Sequence, residues 1–292
     1  ILKDKQISLI CLETPPFTHL DYLQKLKNFK KNILCEKPFL INQKEINFFE
    51  NNKEKFNFNL LINCQLRFHP SLEKFRKMVR SFGKIKKVKI LYFSNNFKEK
   101  KNDWWMNVKK GGGHLMAIGP HLLDLSNYLN GSIVNLKKKL MVSTKYQKKI
   151  NTKFHFIGRY KDLSILEVIS SCNNSIPKKN GLYIYVNGID KTLKFSNFEK
   201  IILKNKNQKK IYNTKMKIAD KFFNNPWRVA QYYFFHDSRL IVFLHFHLEL
   251  DNVVLHCCTQ DMIKVMFQHH LPSETSLNVF NNQFPLTLSS LS

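Results

Sequence analysis

The 292-residue chain is short of several things, and each shortage removes a class of explanation. Its six cysteines (Cys11, Cys35, Cys64, Cys172, Cys257 and Cys258) form no CxxC pair, and a disulfide framework does not suit a chain this long. Buried thiols in a reducing cytosol are expected instead. No run approaches the roughly 20 apolar residues of a membrane span. The most apolar late stretch, residues 240–250, carries His245, His247 and Glu249. No signal peptide is visible, so a cytoplasmic protein without a membrane partner is expected. Glycine is also scarce, at nine residues, and the phosphate-cradling pattern Gly-x-Gly-x-x-Gly does not occur.

Acidic residues are few: 21 against 48 basic ones, a net charge of +27. Such a balance admits a polyanion partner. Yet the lysines are scattered through every segment up to residue 221, without a dense basic tract, beside abundant Asn, Ile and Phe. That pattern reads as compositional bias, and no nucleic-acid partner is expected. Residues 222–292 differ: they hold three basic residues (Arg228, Arg239, Lys264) and five acidic ones, leaving 45 basic and 16 acidic in the first 221. This tail reads either as a separate subdomain or as a frameshifted or misjoined end. Its His245, His247, His256 and Cys257 match no standard zinc spacing, and no metal is expected.

What is present is enough for a core: hydrophobic residues are 43% and aromatics 13%. Residues 7–12, 32–35 and 57–65 read as short buried strands. Between them, helical spacing follows Thr18, taken as an N-cap, and again spans roughly 43–52. Strand, helix, strand, helix, strand predicts a parallel sheet covered on both faces. Residues 71–82 read as a helix closed by Gly83 at C′, residues 88–95 as a strand, and 114–129 as a helix interrupted at Gly119-Pro120. From 133 to about 212, strands with turns such as Asn180-Gly181 and Asn187-Gly188 predict a mostly antiparallel sheet. The division expected is 1–66, 67–221 and 222–292.

In an open parallel sheet, ligands bind outside the carboxyl ends of the strands. Thr14-Pro15-Pro16 and Glu36-Lys37-Pro38 follow the first two strands there, and Arg67 follows the third. Glu36-Lys37 reads equally as a site pair or a surface ion pair. Gly111-Gly112-Gly113 reads as a close approach to a ligand at a helix N-terminus, or as a flexible loop. His114 and His121, seven apart, share a helix face, and Asp124 sits on the same side as His121. A single histidine there is more often a satisfied core residue than a catalyst.

Four patterns in order change that balance: Ile-Cys-Leu-Glu-Thr-Pro-Pro-x-x-His, Ile-Leu-Cys-Glu-Lys-Pro, Leu-Arg-Phe-His-Pro, and Gly-Gly-Gly-x-x-x-x-Ile-Gly-x-His-x-x-Asp. Together they resemble the glucose-fructose oxidoreductase, inositol dehydrogenase and rhizopine-catabolism family, over about residues 7–131. The resemblance implies the C-terminal part of a Rossmann-type parallel sheet followed by an α+β domain with a large, mostly antiparallel sheet. It implies hydride transfer between NAD or NADP and a hydroxyl or carbonyl of a sugar, polyol or nucleotide-sugar. It places Thr14, Pro15, Pro16 and His19 along the dinucleotide, Glu36 and Lys37 by the nicotinamide, and Arg67 on the nicotinamide side of the cleft. Lys37 becomes the catalytic lysine and His121 the general base, with Trp104, Trp105 and Asp124 facing the substrate. It further implies a homodimer or homotetramer through the sheet of the second domain.

Two departures qualify this. Many members carry an Asp one helical turn before the histidine; here that residue is Ala117, with Asp124 as the substitute. This leaves a non-catalytic, ligand-sensing or protein-binding relative as the alternative. The first strand, the glycine turn and the ribose-gripping acid are also missing. The chain is therefore expected to begin after the first two βα units, Ile1 not being a native start, and this polypeptide alone is expected to bind a dinucleotide weakly or not at all.

Overall fold

The computed structural model describes residues 7, 9–95, 104–143, 150–172 and 180–214. The compositionally distinct tail, with His245, His247, His256 and Cys257, lies outside the described residues.

Strands β1 (Leu9–Leu12), β2 (Asn32–Cys35) and β3 (Asn59–Ile62) form a parallel sheet in that order. Helices α1 (His19–Lys25) and α2 (Gln43–Asn52) are the crossovers that parallel pairing requires. They bury Leu23, Ile46 and Phe49 in the core that holds Ile33, Leu60 and Ile62. The other face of the sheet is thinly covered: Leu34 is buried there against the partly buried Leu9, Leu61 and Phe68. Full cover on both faces, expected from the apolar runs, is therefore not found among the described residues, and Cys11 is exposed.

One local expectation is also corrected. Thr18 does not cap α1: its backbone is already helical, and its hydroxyl lies against the Pro15 carbonyl at 2.7 Å and Thr14 Oγ1 at 2.9 Å. Helix α2, by contrast, is capped by Asn42, whose side chain accepts from Glu45 N at 3.0 Å, while Glu45 reaches back to the N–H of Ile41, just before the cap.

Helix α3 (Pro70–Arg80) leads to β4 (Lys87–Phe93), and helix α4 (His114–Asn130) leads to β5 (Ile133–Ser143). Then come β6 (Ile150–Tyr160), β7 (Ile165–Ser171), β8 (Gly181–Asn187), β9 (Lys191–Ser196), β10 (Lys200–Asn205) and β11 (Lys209–Asn213). The eight-stranded sheet has the order β11-β10-β9-β8-β4-β7-β6-β5, with β4 and β7 its parallel pair and the other described pairs antiparallel. Helix α3 ends at Arg80 with Ser81 as its C-cap, so Gly83, at φ +85°, lies two residues past the C-cap rather than at C′. Asn187-Gly188 does form the turn between β8 and β9, whereas Gly181 opens β8.

Helix α4 is buried nearly all round, as its low content of charge requires. Pro120 does not interrupt it. The helix runs through, because its cover on every side holds the turn that the proline's missing N–H weakens. Among the described residues, no helix is long and apolar enough to cross a membrane.

Candidate functional site

A cleft of about 140 Å³ lies where the carboxyl edge of the parallel sheet meets α4. The sheet side supplies Glu13, Thr14, Pro16, Glu36, Lys37 and Pro38; the other side supplies Trp104, Trp105, Gly111 and Ala117. The parallel ladder explains the first group. Glu36 N donates to Leu12 O at 2.9 Å and Asn63 N to Cys35 O at 2.8 Å, so the three strands release their chains side by side at one edge.

Lys37 reaches across the cleft. Its Nζ donates to the carbonyl of Ala117 on α4 at 2.9 Å. Ala117 lies on α4 one turn before His121, where its side chain offers no carboxylate. Here a backbone carbonyl meets the lysine instead. The Glu36 carboxylate accepts from the amide of Asn63 and from Lys37 N (3.2 Å). Burial pushes the Lys37 amine below its ordinary range, opposed by the charges of Glu36 and Cys64. His121, 2% exposed, is pushed well down, first by burial and then by the Lys37 charge, so its imidazole is neutral at pH 7. The electrostatic coupling places Lys37 and His121 in one neighbourhood.

Trp104 and Trp105 sit in a 3₁₀ turn, Trp104–Met106, with ring centroids 5.1 Å apart. The glycine run holds this turn in place. A Cβ on Gly112 would lie 2.4 Å from Trp105 O and 2.6 Å from Trp104 O; Gly113 N donates to Trp105 O at 3.0 Å. Gly111 and Gly113 have φ of +82° and +95°, and their missing side chains leave room for Ile41 and Asn151. The glycines thus serve close packing within the protein, and Gly111 also lines the cleft. At the N-terminus of α4, Leu115 N donates to Asn151 Oδ1 at 2.6 Å, so part of that end is occupied by the protein itself.

Other expected site residues stand elsewhere. His19 is fully buried, with Nδ1 3.0 Å from Phe39 O and Nε2 2.9 Å from Thr14 O. It ties the Thr14 loop to the segment after Pro38 and does not face the cleft. The third strand ends at Ile62 rather than at residue 65, and Arg67 lies in the 3₁₀ turn Gln65–Phe68 that follows. The guanidinium of Arg67 forks onto both oxygens of Asp124, whose side chain is fully buried. Neither residue lines the cleft, nor does His121, and Asp124 is bonded to Arg67. His114 turns to the large sheet, its Nε2 2.7 Å from Ser170 Oγ, and burial lowers its pKa to about 4. Pro15 adjoins the cleft without lining it. Glu13, Ala117 and Asn63 were not singled out as ligand contacts by sequence reasoning. The signal for Asn63 was its place directly after a buried strand, beside Glu36.

The described residues fit the reacting end of a dinucleotide. The cleft is smaller than the roughly 300–1,000 Å³ of a whole-ligand site, large enough for one ring, and bounded by an amine, two acidic residues and two indoles. No glycine occurs among the described residues of the parallel-sheet unit, so those residues hold no phosphate cradle. Nor do the described residues include a group of three or more His, Cys, Asp or Glu able to hold a metal ion.

Comparison with known proteins agrees with this architecture. The family model described as the oxidoreductase family, NAD-binding Rossmann fold, matches residues 1–52. That described as the oxidoreductase family, C-terminal alpha/beta domain, matches residues 76–232. Glucose-6-phosphate 3-dehydrogenase of Bacillus subtilis is 25% identical over 198 residues, 64% of this chain and 56% of that protein. The chain spans about half the length of the curated relatives it matches first. Levoglucosan dehydrogenase in complex with NADH and levoglucosan superposes with a TM-score of 0.68 at 15% identity, over 82% of this chain and 73% of that one. The super-repressor mutant of Gal80p from Saccharomyces cerevisiae gives 0.69 at 12%, over 90% and 76%. At such identities the superpositions speak for the fold. The parallel sheet, the Glu-Lys-Pro loop at its edge, the helix bearing His121 and the matched models together show that this chain belongs to the glucose-fructose oxidoreductase, inositol dehydrogenase and rhizopine-catabolism family of oxidoreductases.

Proposed function

We propose that the protein is a nicotinamide-dependent oxidoreductase acting on a hydroxyl or carbonyl of a sugar, polyol or nucleotide-sugar. The observation that carries this reading is Lys37, which lines a cleft with two tryptophans and donates to the Ala117 carbonyl one helical turn before the buried, neutral His121, whose proton affinity its charge lowers. Bound with its reacting end in that cleft, a nicotinamide would supply the hydride acceptor or donor. Glu36 and Lys37 would hold that end, with Thr14 and Pro16 along its flank. The Lys37 ammonium donates to the substrate oxygen and polarises its O–H bond. His121, unprotonated at pH 7, takes the hydroxyl proton as the carbonyl forms. Its own proton affinity is low, so Lys37's pull on the same oxygen is what makes the transfer feasible. In the reverse direction protonated His121 returns the proton to the oxygen. Trp104 and Trp105 offer flat apolar faces to a sugar ring and exclude water.

The test uses the full-length protein. It is assayed with NAD⁺ and NADP⁺ against aldoses, polyols and their phosphates. Lys37→Met and His121→Asn should each lower kcat by about 10²–10⁴. Turnover retained in both variants would sink the reading. Ala117 favours a second reading, a ligand-sensing relative without turnover, since no carboxylate stands one turn before His121. In that case the same panel gives binding without absorbance change.

A further inference from the structure

We propose that Asn63 is a positioning residue that holds the Glu36 carboxylate off the Lys37 amine. The inference rests on the reading of Lys37 as the site's working amine. Glu36 and Lys37 are adjacent in sequence, carry opposite charges and both line the cleft. Left to themselves in a half-buried cleft, such groups should pair. They do not: Lys37 Nζ goes to the Ala117 carbonyl, while both Glu36 oxygens are taken by other donors. One donor is the Lys37 backbone N–H, a long contact at 3.2 Å, and the other is the Asn63 amide.

Asn63 is built for this. It extends the β2–β3 ladder by one step, its N–H donating to Cys35 O at 2.8 Å, which sets its side chain beside Glu36. A carboxylate only accepts, so the NH₂ of Asn63 must face Glu36, and the amide orientation follows. Oδ1 is then left buried without a partner, in a side chain 3% exposed. A buried orphan acceptor is a cost that an apolar residue of the same size would not carry. Stability alone does not explain asparagine here; keeping Glu36 in place does. With Asn63 removed, Glu36 is free to turn onto Nζ. The amine then gains a direct counter-ion and holds its proton more tightly.

The experiment measures the rate of acetylation of Lys37 by a trace of acetic anhydride at pH 8, read by peptide mass spectrometry on the full chain. It needs neither cofactor nor substrate. Asn63→Leu should label Lys37 about tenfold more slowly, the change in free-amine fraction that one pKa unit gives. Asn63→Asp, which adds a second carboxylate, should slow it as well. Adding Glu36→Gln to Asn63→Leu should restore labelling, because no carboxylate remains to capture the amine. A loss of packing would not be rescued by a substitution at Glu36. Unchanged labelling in Asn63→Leu, or slowing that Glu36→Gln does not reverse, overturns the proposal. If instead Lys37→Met leaves turnover intact, the functional reading fails while the labelling result stands.

Discussion

Acid should destabilise this protein through its buried histidines, and His69 offers a clean test. His69 is 2% exposed and caps α3 through its ring: Nδ1 accepts from Ser71 N at 3.2 Å and lies 2.7 Å from Ser71 Oγ. A nitrogen that accepts carries no proton, so the cap exists only for the neutral ring. Burial lowers the pKa from 6.5 to about 4. Above pH 6.5 the ring is neutral in folded and unfolded chains alike, and its full contribution is present. Between 6.5 and 4 the unfolded chain takes up the proton and the folded one does not, so stability falls as pH falls. The slope is about 1.4 kcal/mol per pH unit, or roughly 2 kcal/mol by pH 5. Asparagine is a good N-cap and does not titrate. His69→Asn loses the ring contact with Phe198, 4.5 Å between centroids, which costs about 1 kcal/mol at pH 7. By pH 5 the variant should therefore be the more stable of the two by about 1 kcal/mol. Urea unfolding at pH 7, 6 and 5 reads this directly, as a crossing of the two stability curves. Parallel curves would refute the neutral-cap argument. His114, also lowered to about 4, remains in both proteins and cancels in the comparison.

Three further outcomes are expected. Arg67→Met leaves the fully buried Asp124 carboxylate without its fork and should cost about 3–5 kcal/mol in urea unfolding; Arg67→Met with Asp124→Leu should recover most of it. Gly112→Ala drives a Cβ into the Trp104 and Trp105 carbonyls, which are backbone and cannot swing away. It should cost about 2 kcal/mol or more and change the tryptophan fluorescence, whereas unchanged emission would show that the turn tolerates it. On the proposed reading, the 292-residue chain should bind NADH no more than a few-fold better than reduced nicotinamide mononucleotide, since the described residues of the parallel-sheet unit include no glycine to cradle phosphates. A micromolar NADH complex in a fluorescence titration, about −8 kcal/mol, would contradict this.

The elements most legible in the sequence were those whose boundaries are set locally. Asn32–Cys35 and Gln43–Asn52 were read to the residue, because turn residues bracket a short apolar run in one and a polar cap starts the other. Strand β3 was overestimated at both ends. Its apolar run is long, but it pairs only where β2 offers a partner, from Asn59↔Asn32 to Ile62↔Cys35. A strand's length belongs to the pair. The Gly111–Gly113 run read as a close approach to a ligand or a flexible loop, and the sequence could not say which atoms press on it. They proved to be the protein's own Trp104, Trp105, Ile41 and Asn151.

The misplacement of Asp124 shows the same limit within the site. Three residues beyond His121, it satisfies the spacing for a partner on one side of a helix, and spacing could say no more. What decides its bonding is an element 57 residues away: β3 stops at Ile62, the chain tightens into a 3₁₀ turn, and Arg67 arrives on α4 with a planar fork that a carboxylate accepts at both oxygens. Both oxygens of the buried Asp124 carboxylate accept from that arginine. The imidazole's protonation is then governed by burial and by Lys37, and Lys37 in turn by where Glu36 is held. The chemistry at this edge of the sheet depends on three strands ending in register, which motif order anticipates and helical spacing alone does not.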